Sequence, residues 1–451
     1  MVVSAREAAL LTLAAMERQK AWSNGHLKKV MQEQKLDRRD AALATRLCFG
    51  VLQNRMLLDY YLQQYATMKL AKMESKVRSA LRLGLYQMLF LTKIPVNAAV
   101  SESVELTKKH CKNPRAGGMV NGILRNLARH LDDLPTLDRK DPVEYLSLLY
   151  SHPRWLVETF SARLPEEEVE QLLRWDNSEP PVTVQVNTCR YTEEEVVASL
   201  EEEGVTVTRH PWLPGCLLLS GTGDLAARTA YQKGMLYAQD PAARLSVLAA
   251  GLRPGDRVLD ACAAPGGKSF AAAMVMEGQG EILSCDLHAH KKGLIEAGAA
   301  RLDLPLISAH VMDGKKFRSS WEEGFDAVIA DVPCSGLGVM RKKPEIRYKE
   351  PGELAGLPVV QGEILANVSR YVKPGGVLLY STCTLRREEN EAVVADFLKE
   401  HPDFALEGFA LPGPMGEVPE GEATLWPQRL DTDGFYLARL RRQGAKEETG
   451  L

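Results

Sequence analysis

The chain has 451 residues, enough for roughly two to four domains of ordinary size. Hydrophobic residues make up 45% and charged residues 25%, which excludes a disordered or fibrous chain. A formal net charge of −3 argues, by itself, against a nucleic-acid partner.

That sum hides an asymmetry. Residues 1–130 carry 22 Lys+Arg against 9 Asp+Glu, and the rest of the chain carries 34 against 50. A basic N-terminal third on an acidic body reads as a polyanion-binding module joined to something else. The opening MVVSAREAALLTLAAMERQK lacks the basic-then-apolar layout of a signal peptide. No apolar run approaches the ~20 residues of a membrane span. The eight cysteines contain no CxxC pair, and the closest two, Cys262 and Cys285, are 23 residues apart, so no metal site is expected. The expectation is a cytoplasmic protein with reduced thiols, and nothing demands more than a monomer.

Residues 1–130 are expected to be helical throughout. AREAALLTLAAMERQ has apolar residues at helical spacing, and DRRDAALATRLCFGVLQNRMLLDYYLQQY continues it, capped at Asp37 or Asp40. KVRSALRLGLYQMLFL and NAAVSESVELTKKH follow, separated at Ile94-Pro95, and AGGMVNGILRNLARHL closes the set. Residues 131–142 read as a polar, Pro-containing linker. Residues 143–235 are mixed. HPRWLVETFSARLPEEEVEQLLRWDN predicts two helices, PVTVQVNT a strand, TEEEVVASLEEEG a helix and CLLLS a strand, together a small α+β unit. Residues 236–445 alternate strand and helix. RVLDAC, GEILSCD, LISAHVMD, FDAVIADVP and GGVLLYST are short apolar runs, as in a parallel sheet buried on both faces, with FALEGF and GFYLARLRR as late strands. The fold class is α/β, doubly wound, with ligands expected beyond the carboxyl ends of the strands.

Four segments carry chemistry. In VLDACAAPGGKS an apolar strand ends in an acid and a small-residue turn opens a helix, whose free N–H groups and Gly266-Gly267 admit a ligand closely. The phosphate-loop pattern GxxxxGK[ST] fails here, because its first Gly would fall on Cys262; an NTPase is a poor reading. Asp286 and Asp313 end the next two strands. Two such acids after a Gly-rich turn favour an adenosine-bearing cofactor, although a strand-end acid also caps its own turn, as Asp313-Gly314 suggests. ADVPCSGLGVMRKKPEIRY sets Asp331 and Cys334 at the end of the fourth strand, and YSTCTLRREENE sets Cys383 at the end of the fifth. Two cysteines over a ligand site, one beside an acid and one in a hydroxyl-rich turn, invite covalent catalysis; Cys48, Cys111, Cys189, Cys216 and Cys285 read as buried and inert. Lys268 and Arg341 are candidate cations for forming the thiolate, and the basic 341–349 loop is a candidate phosphate contact.

DACAAPGGKS, D-x-P-C-S-G-x-G and STCTL…EEN together resemble the RsmB/Nop2/Sun family of RNA cytosine-5 methyltransferases, from about His152 to Arg442. ALATRLCFGVLQNR, RLGLYQMLFL and NAAVSESVEL are similar to the NusB-like domain that one branch of the family carries, a branch acting on 16S ribosomal RNA. The chain departs from the family pattern at Arg387, where Pro is common, and in RLDTDGF, where a His often precedes. The resemblance implies an all-α NusB-like RNA-binding domain over 1–130, an RNA-recognition role for 143–235 and a Rossmann-like methyltransferase domain over 236–445. It implies S-adenosyl-L-methionine across Cys262, Ala263, Ala264, Pro265, Gly266, Gly267 and Lys268, with Asp286 on the ribose, Asp313 near the adenine and Asp331 facing the cytosine beside it. It also implies Cys383 as nucleophile and Cys334 as the residue assisting release. Two other readings stay open. One is a sibling enzyme acting on transfer RNA or another ribosomal cytosine. The other is a NusB-like RNA-binding assembly factor with a vestigial α/β domain.

Overall fold

The computed structural model describes residues 4–19 and 23–444. Residues 1–3 of the expected first domain, Lys20 of the opening segment and residue 445, the expected end of the last domain, lie outside the described residues. The chain divides into two compact units. One comprises Met1–Ser178 with Met340–Lys349, the other Glu179–Val339 with Glu350–Leu451.

The first unit is helical. The helix Arg38–Gln53 starts at Asp37, whose carboxylate accepts the Asp40 amide at 2.8 Å, satisfying an N-terminal N–H. The sequence predicts one helix from there to Tyr65. The chain instead breaks at Asn54, which turns its side-chain amide back onto the Gly50 carbonyl at 2.8 Å, and resumes as Arg55–Tyr65. The helix Ser75–Phe90 is the hub. Its residues Ala80–Gln87 are all buried, because the helices Val96–His110, Ala116–Ala128 and Ala5–Gln19 pack around it. Arg82 on this hub is held by Asp59 at 2.7 Å and by Glu17. At Gly84 a Cβ would lie 2.5 Å from Leu124 Cδ1 and 2.9 Å from Ser103 Oγ, so glycine here sets how closely three helices approach.

Three more helices, Pro142–Tyr150, Arg154–Ser161 and Glu166–Asp176, belong to this unit. The sequence groups them with the strands that follow, which lie in the second unit. Residues 340–349 also belong to the first unit. Arg347 is fully buried, donating to Asn177 Oδ1 at 2.6 Å and to the Asp176 carbonyl at 3.2 Å. Tyr348 donates its hydroxyl to the Leu52 carbonyl at 2.7 Å under the Arg55 guanidinium. Arg341 stacks on Trp175 at 3.8 Å. Within the expected basic phosphate loop the guanidinium of Arg347 is thus spent on buried carbonyls, while Lys343 is exposed.

The second unit holds two sheets. β1 (Val182–Val186), β2 (Thr206–Arg209), β3 (Cys216–Ser220) and β4 (Leu236–Ala238) form an antiparallel sheet in the order β2-β3-β1-β4. The helix Glu193–Glu202 covers it, opened by a capping box between Thr192 and Glu195. β2 is short and mostly exposed, so it carries no apolar signal in the sequence.

The larger sheet takes β5 (Arg257–Asp260), β6 (Glu281–Asp286), β7 (Ile307–Val311), β8 (Phe325–Asp331), β9 (Val372–Thr382) and β10 (Phe404–Leu406). A hairpin of β11 (Phe409–Leu411) and β12 (Gly416–Val418) follows, then β13 (Glu422–Leu425) and β14 (Phe435–Arg442). The order is β10-β14-β9-β8-β5-β6-β7, with β13 on β14. β5 through β9 run parallel, and β14 inserts antiparallel to β9. The strand order reverses between β5 and β8, which puts the ligand crevice at their carboxyl ends.

Gly84→Ala should destabilise the chain by about 1–3 kcal/mol through overpacking. Gly122→Ala, on the exposed face of Ala116–Ala128 with nothing within 4 Å of its added Cβ, should be neutral or stabilising by up to about 1 kcal/mol. Chemical denaturation of the two variants gives the comparison; a similar sign for both refutes the close-approach reading of Gly84.

Candidate active site

β5 ends at Asp260, which is fully buried. Ser269 donates to its Oδ2 at 2.7 Å, and Ser269 and Ser284 share a hydroxyl contact of 2.7 Å. Asp260 Oδ1 has no hydrogen-bond partner. Burial pushes this carboxyl up to about 7, against the opposing pull of Ser269 and Lys268. The turn after it is held by the Ala263 amide on the Cys285 carbonyl and the Gly266 amide on the Ala263 carbonyl, both at 2.7 Å. The Ala264–Pro265 peptide is cis. Gly266 has φ +114°, a region that favours glycine, and a Cβ there would meet the Phe270 ring at 2.5 Å. The helix Gly267–Val275 starts from it. Cys262 lies in this turn, and burial pushes its thiol well up, leaving it protonated.

Asp286 ends β6, buried, and accepts the His288 amide at 3.0 Å with Lys291 at 3.4 Å. Leu287, next to it, leaves 56% of its surface exposed. Asp313 follows β7 and accepts the Lys315 amide at 3.1 Å, the turn-capping geometry that Asp313-Gly314 suggests.

The reactive groups stand at the ends of β8 and β9. Asp331 pairs with Lys268 Nζ at 2.7 Å and accepts from Ser381 Oγ at 2.8 Å. Cys334 and Cys383 meet with their sulfurs 3.3 Å apart. Donation from the Cys334 thiol pulls the Cys383 thiol down, and nearby Lys268 helps; burial, Asp331 and Asp433 oppose. The same contact, with burial, Glu389 and Asp331, drives Cys334 up. The contact and its surroundings thus favour the proton on Cys334 and ionisation of Cys383. Lys268 is the cation that reaches the pair. Arg341, the other candidate, stacks on Trp175 at 3.8 Å within the first unit. Sequence reasoning missed Asp260 and Ser269 as a buried couple, and Gln361, Glu389 and Asn390 behind the cysteines. The residues Glu389-Asn390 were visible only as part of a motif.

A family model for the 16S rRNA methyltransferase RsmB/F matches residues 247–441. The NusB family model matches residues 3–129, and a model for the ferredoxin-like domain of RsmF/B-like methyltransferases matches residues 152–226. The chain is 38% identical over 450 residues to "Probable ribosomal RNA small subunit methyltransferase B" of Bacillus subtilis, covering 98% of this chain and 99% of that one. The chain belongs to the RsmB/F family. It is also 31% identical over 411 residues to "Ribosomal RNA small subunit methyltransferase B" of Erwinia tasmaniensis, covering 90% of this chain and 91% of that one. Among solved structures, that of PH0851 superposes with a TM-score of 0.81 at 26% identity, covering 97% and 98% of the two chains. NSun6 from Pyrococcus horikoshii, solved with SFG, gives 0.56 at 21% identity over 65% of this chain and 99% of that one, a likeness of fold. The RsmB/F family is one of S-adenosylmethionine-dependent methyltransferases, and its model spans the Cys262–Lys268 turn and both cysteines of this chain.

Asp260 gives a pH test. Its carboxyl protonates near 7 in the folded chain and near 3.8 in the unfolded chain, so the folded state binds the proton more tightly. The stability it contributes is fully present below its unfolded value and is lost as the pH rises through the folded one. Relative to Asp260→Asn, the wild-type chain should lose about 1.4 kcal/mol per pH unit across that window. Urea unfolding of both proteins between about pH 5 and 8 measures this, and parallel stability curves refute it.

Proposed function

We propose that the chain transfers a methyl group from S-adenosyl-L-methionine to carbon-5 of a cytosine in 16S ribosomal RNA, through a covalent bond between Cys383 and carbon-6. The observation that carries this reading is the Cys334–Cys383 pair at 3.3 Å beside the Lys268–Asp331 ion pair.

The cofactor turn supports it. Gly266 and Gly267 keep the backbone open, the helix Gly267–Val275 offers free N–H groups, and a buried oxygen of Asp260 is unpartnered at the end of β5. The strip Cys262–Lys268 would hold the cofactor, Asp286 its ribose and Asp313 its adenine side, with Asp331 between cofactor and base. S-adenosylmethionine supplies the methyl group when bound.

Carbon-5 of cytosine is a weak nucleophile. Addition of the Cys383 thiolate to carbon-6 makes it enamine-like and able to take the methyl group. Asp331, held by Lys268 and Ser381, faces the nitrogen edge of the ring. Loss of the carbon-5 proton to a base then restores the 5,6 double bond as the carbon-6–sulfur bond breaks and Cys383 leaves as thiolate, with Cys334 assisting release. The base has to leave any stack to reach a partly buried thiol, which is cheapest in single-stranded or loop RNA. The basic residues of 1–130 would hold phosphates and so position the RNA, while 143–235 would contribute to its recognition. Such a reaction belongs in the cytoplasm, where ribosomes are assembled.

Cys383→Ala should abolish methyl transfer to 16S ribosomal RNA while S-adenosylmethionine binding, measured by calorimetry, stays within about two-fold. Turnover by this variant overturns the assignment. Cys334→Ala should accumulate a protein–RNA adduct that survives a denaturing gel. A clean gel with cognate RNA and cofactor removes the release role.

A further inference from the structure

The buried carboxylate of Glu389 lies behind the cysteine pair. Its Oε2 accepts the Ser335 amide at 2.8 Å and Gln361 Nε2 at 3.0 Å, and its Oε1 accepts Arg386 Nη1 at 3.2 Å. The same Gln361 amide donates to the Pro333 carbonyl at 3.0 Å. Cys334 is thus held through both of its chain neighbours, Pro333 by Gln361 and Ser335 by Glu389. Asn390 does the same for Cys383: it accepts from Thr382 Oγ1 at 2.6 Å and donates to the Thr384 carbonyl at 3.0 Å. Ser335 Oγ and Thr384 Oγ1 meet at 2.7 Å, joining the two holds, and the Glu389 carbonyl accepts the Tyr380 hydroxyl at 2.6 Å.

We propose that Glu389 is a positioning residue that holds Cys334 against Cys383 and directs their shared proton to Cys334. The inference rests on the reading of Cys383 as nucleophile and Cys334 as its partner. Glu389 touches neither sulfur. It acts through the Ser335 amide, and through its buried carboxylate, which the Arg386 guanidinium pairs at 3.2 Å. Cys334 faces that charge together with Asp331 and the Cys383 sulfur, whereas Cys383 faces Lys268, Asp331 and Asp433. Glu389 opposes ionisation of Cys334 and Lys268 favours that of Cys383, so the two charges act in the same direction on one proton.

The test is Glu389→Gln in the full chain, which keeps the shape and removes the charge. Sub-stoichiometric iodoacetamide, read by peptide mass spectrometry, should label Cys383 far more than Cys334 in the wild type. In Glu389→Gln that ratio should fall about ten-fold, the factor for one unit of relative pKa. Single-turnover methyl transfer should fall by roughly ten- to a hundred-fold, as for a small misplacement of a reacting group, with S-adenosylmethionine affinity unchanged. Glu389→Asp keeps the charge and should restore most of the labelling ratio. A purely structural role would lower the melting temperature and leave the ratio alone; that result, or unchanged labelling and rate, overturns the proposal. If Glu389→Gln does not fold, Gln361→Leu removes the tie to Pro333 and one donor to Glu389 but keeps the charge; it should lower the single-turnover rate and keep the labelling in favour of Cys383, and an unchanged rate overturns the positioning role. A Cys383→Ala protein that still turns over removes the underlying reading; inactive Cys383→Ala with an unaffected Glu389→Gln removes this inference alone.

Discussion

Cys334 and Cys383 are 49 residues apart in the chain, and their sulfurs meet at 3.3 Å. That contact depends on the pairing of two parallel strands. In the β8–β9 register Ala330 sits opposite Tyr380 and Asp331 opposite Ser381. A slip of one residue would turn Ser381 away from Asp331 and send each strand's last side chains to the wrong face. The register is secured from behind. Tyr380 and Tyr436 are buried side by side on β9 and β14, and the antiparallel β14 closes β9 on its other edge. The strands therefore bring the loops together, and the buried Glu389–Asn390 hold fixes their last ångström.

Two thiols this close cannot both ionise at modest pH, since the second thiolate would face the first. One must donate to the other, and the surrounding charges decide which. Lys268 sits on the Cys383 side and is itself neutralised by Asp331, so the site carries a cation without an unpaired buried charge. Lys268 can stand there because the Gly266 turn starts its helix beside the end of β5. The Gly266 turn and the cysteine pair are in this sense one electrostatic unit, built on the first turn of Gly267–Val275.

Much of this was readable in the sequence. The strands of the large sheet announce themselves as apolar runs, because a sheet buried on both faces needs them. Each chemistry-bearing residue follows directly on such a run, so its place at the carboxyl edge could be inferred without knowing the strand order. What stayed hidden has a common cause. Arg347 reads as a solvated cation, because burial of a guanidinium depends on carbonyl partners some 170 to 300 residues away in the chain. Gln361 and Glu389 read as the polar face of a helix and a loop acid, and only the fold puts them behind Cys334. Asn54 breaks a helix through a side-chain bond to Gly50 that no periodicity reveals. β2 and the β11–β12 hairpin are too short, and β2 too exposed, to carry a pattern.

The charge asymmetry also changes meaning once burial is known. An excess of basic residues in 1–130 matters for RNA only where the cations are free to leave their internal partners. Arg82 is not: Glu17 and Asp59 hold it in the hub of the helical unit. Arg347, which the sequence would add to the basic surface, is likewise held inside. Lys72, Lys93, Lys112 and Arg115 are exposed, and a phosphate backbone would meet cations of this kind. The acidic remainder follows the opposite logic. Asp260, Asp286 and Asp331 stand at the carboxyl ends of β5, β6 and β8, the edge where a doubly wound sheet meets its ligands. The price is burial of Asp260 with a raised affinity for its proton. A net charge near zero thus conceals a division, in which residues 1–130 carry the basic excess and the acidic remainder holds the strand-end carboxylates.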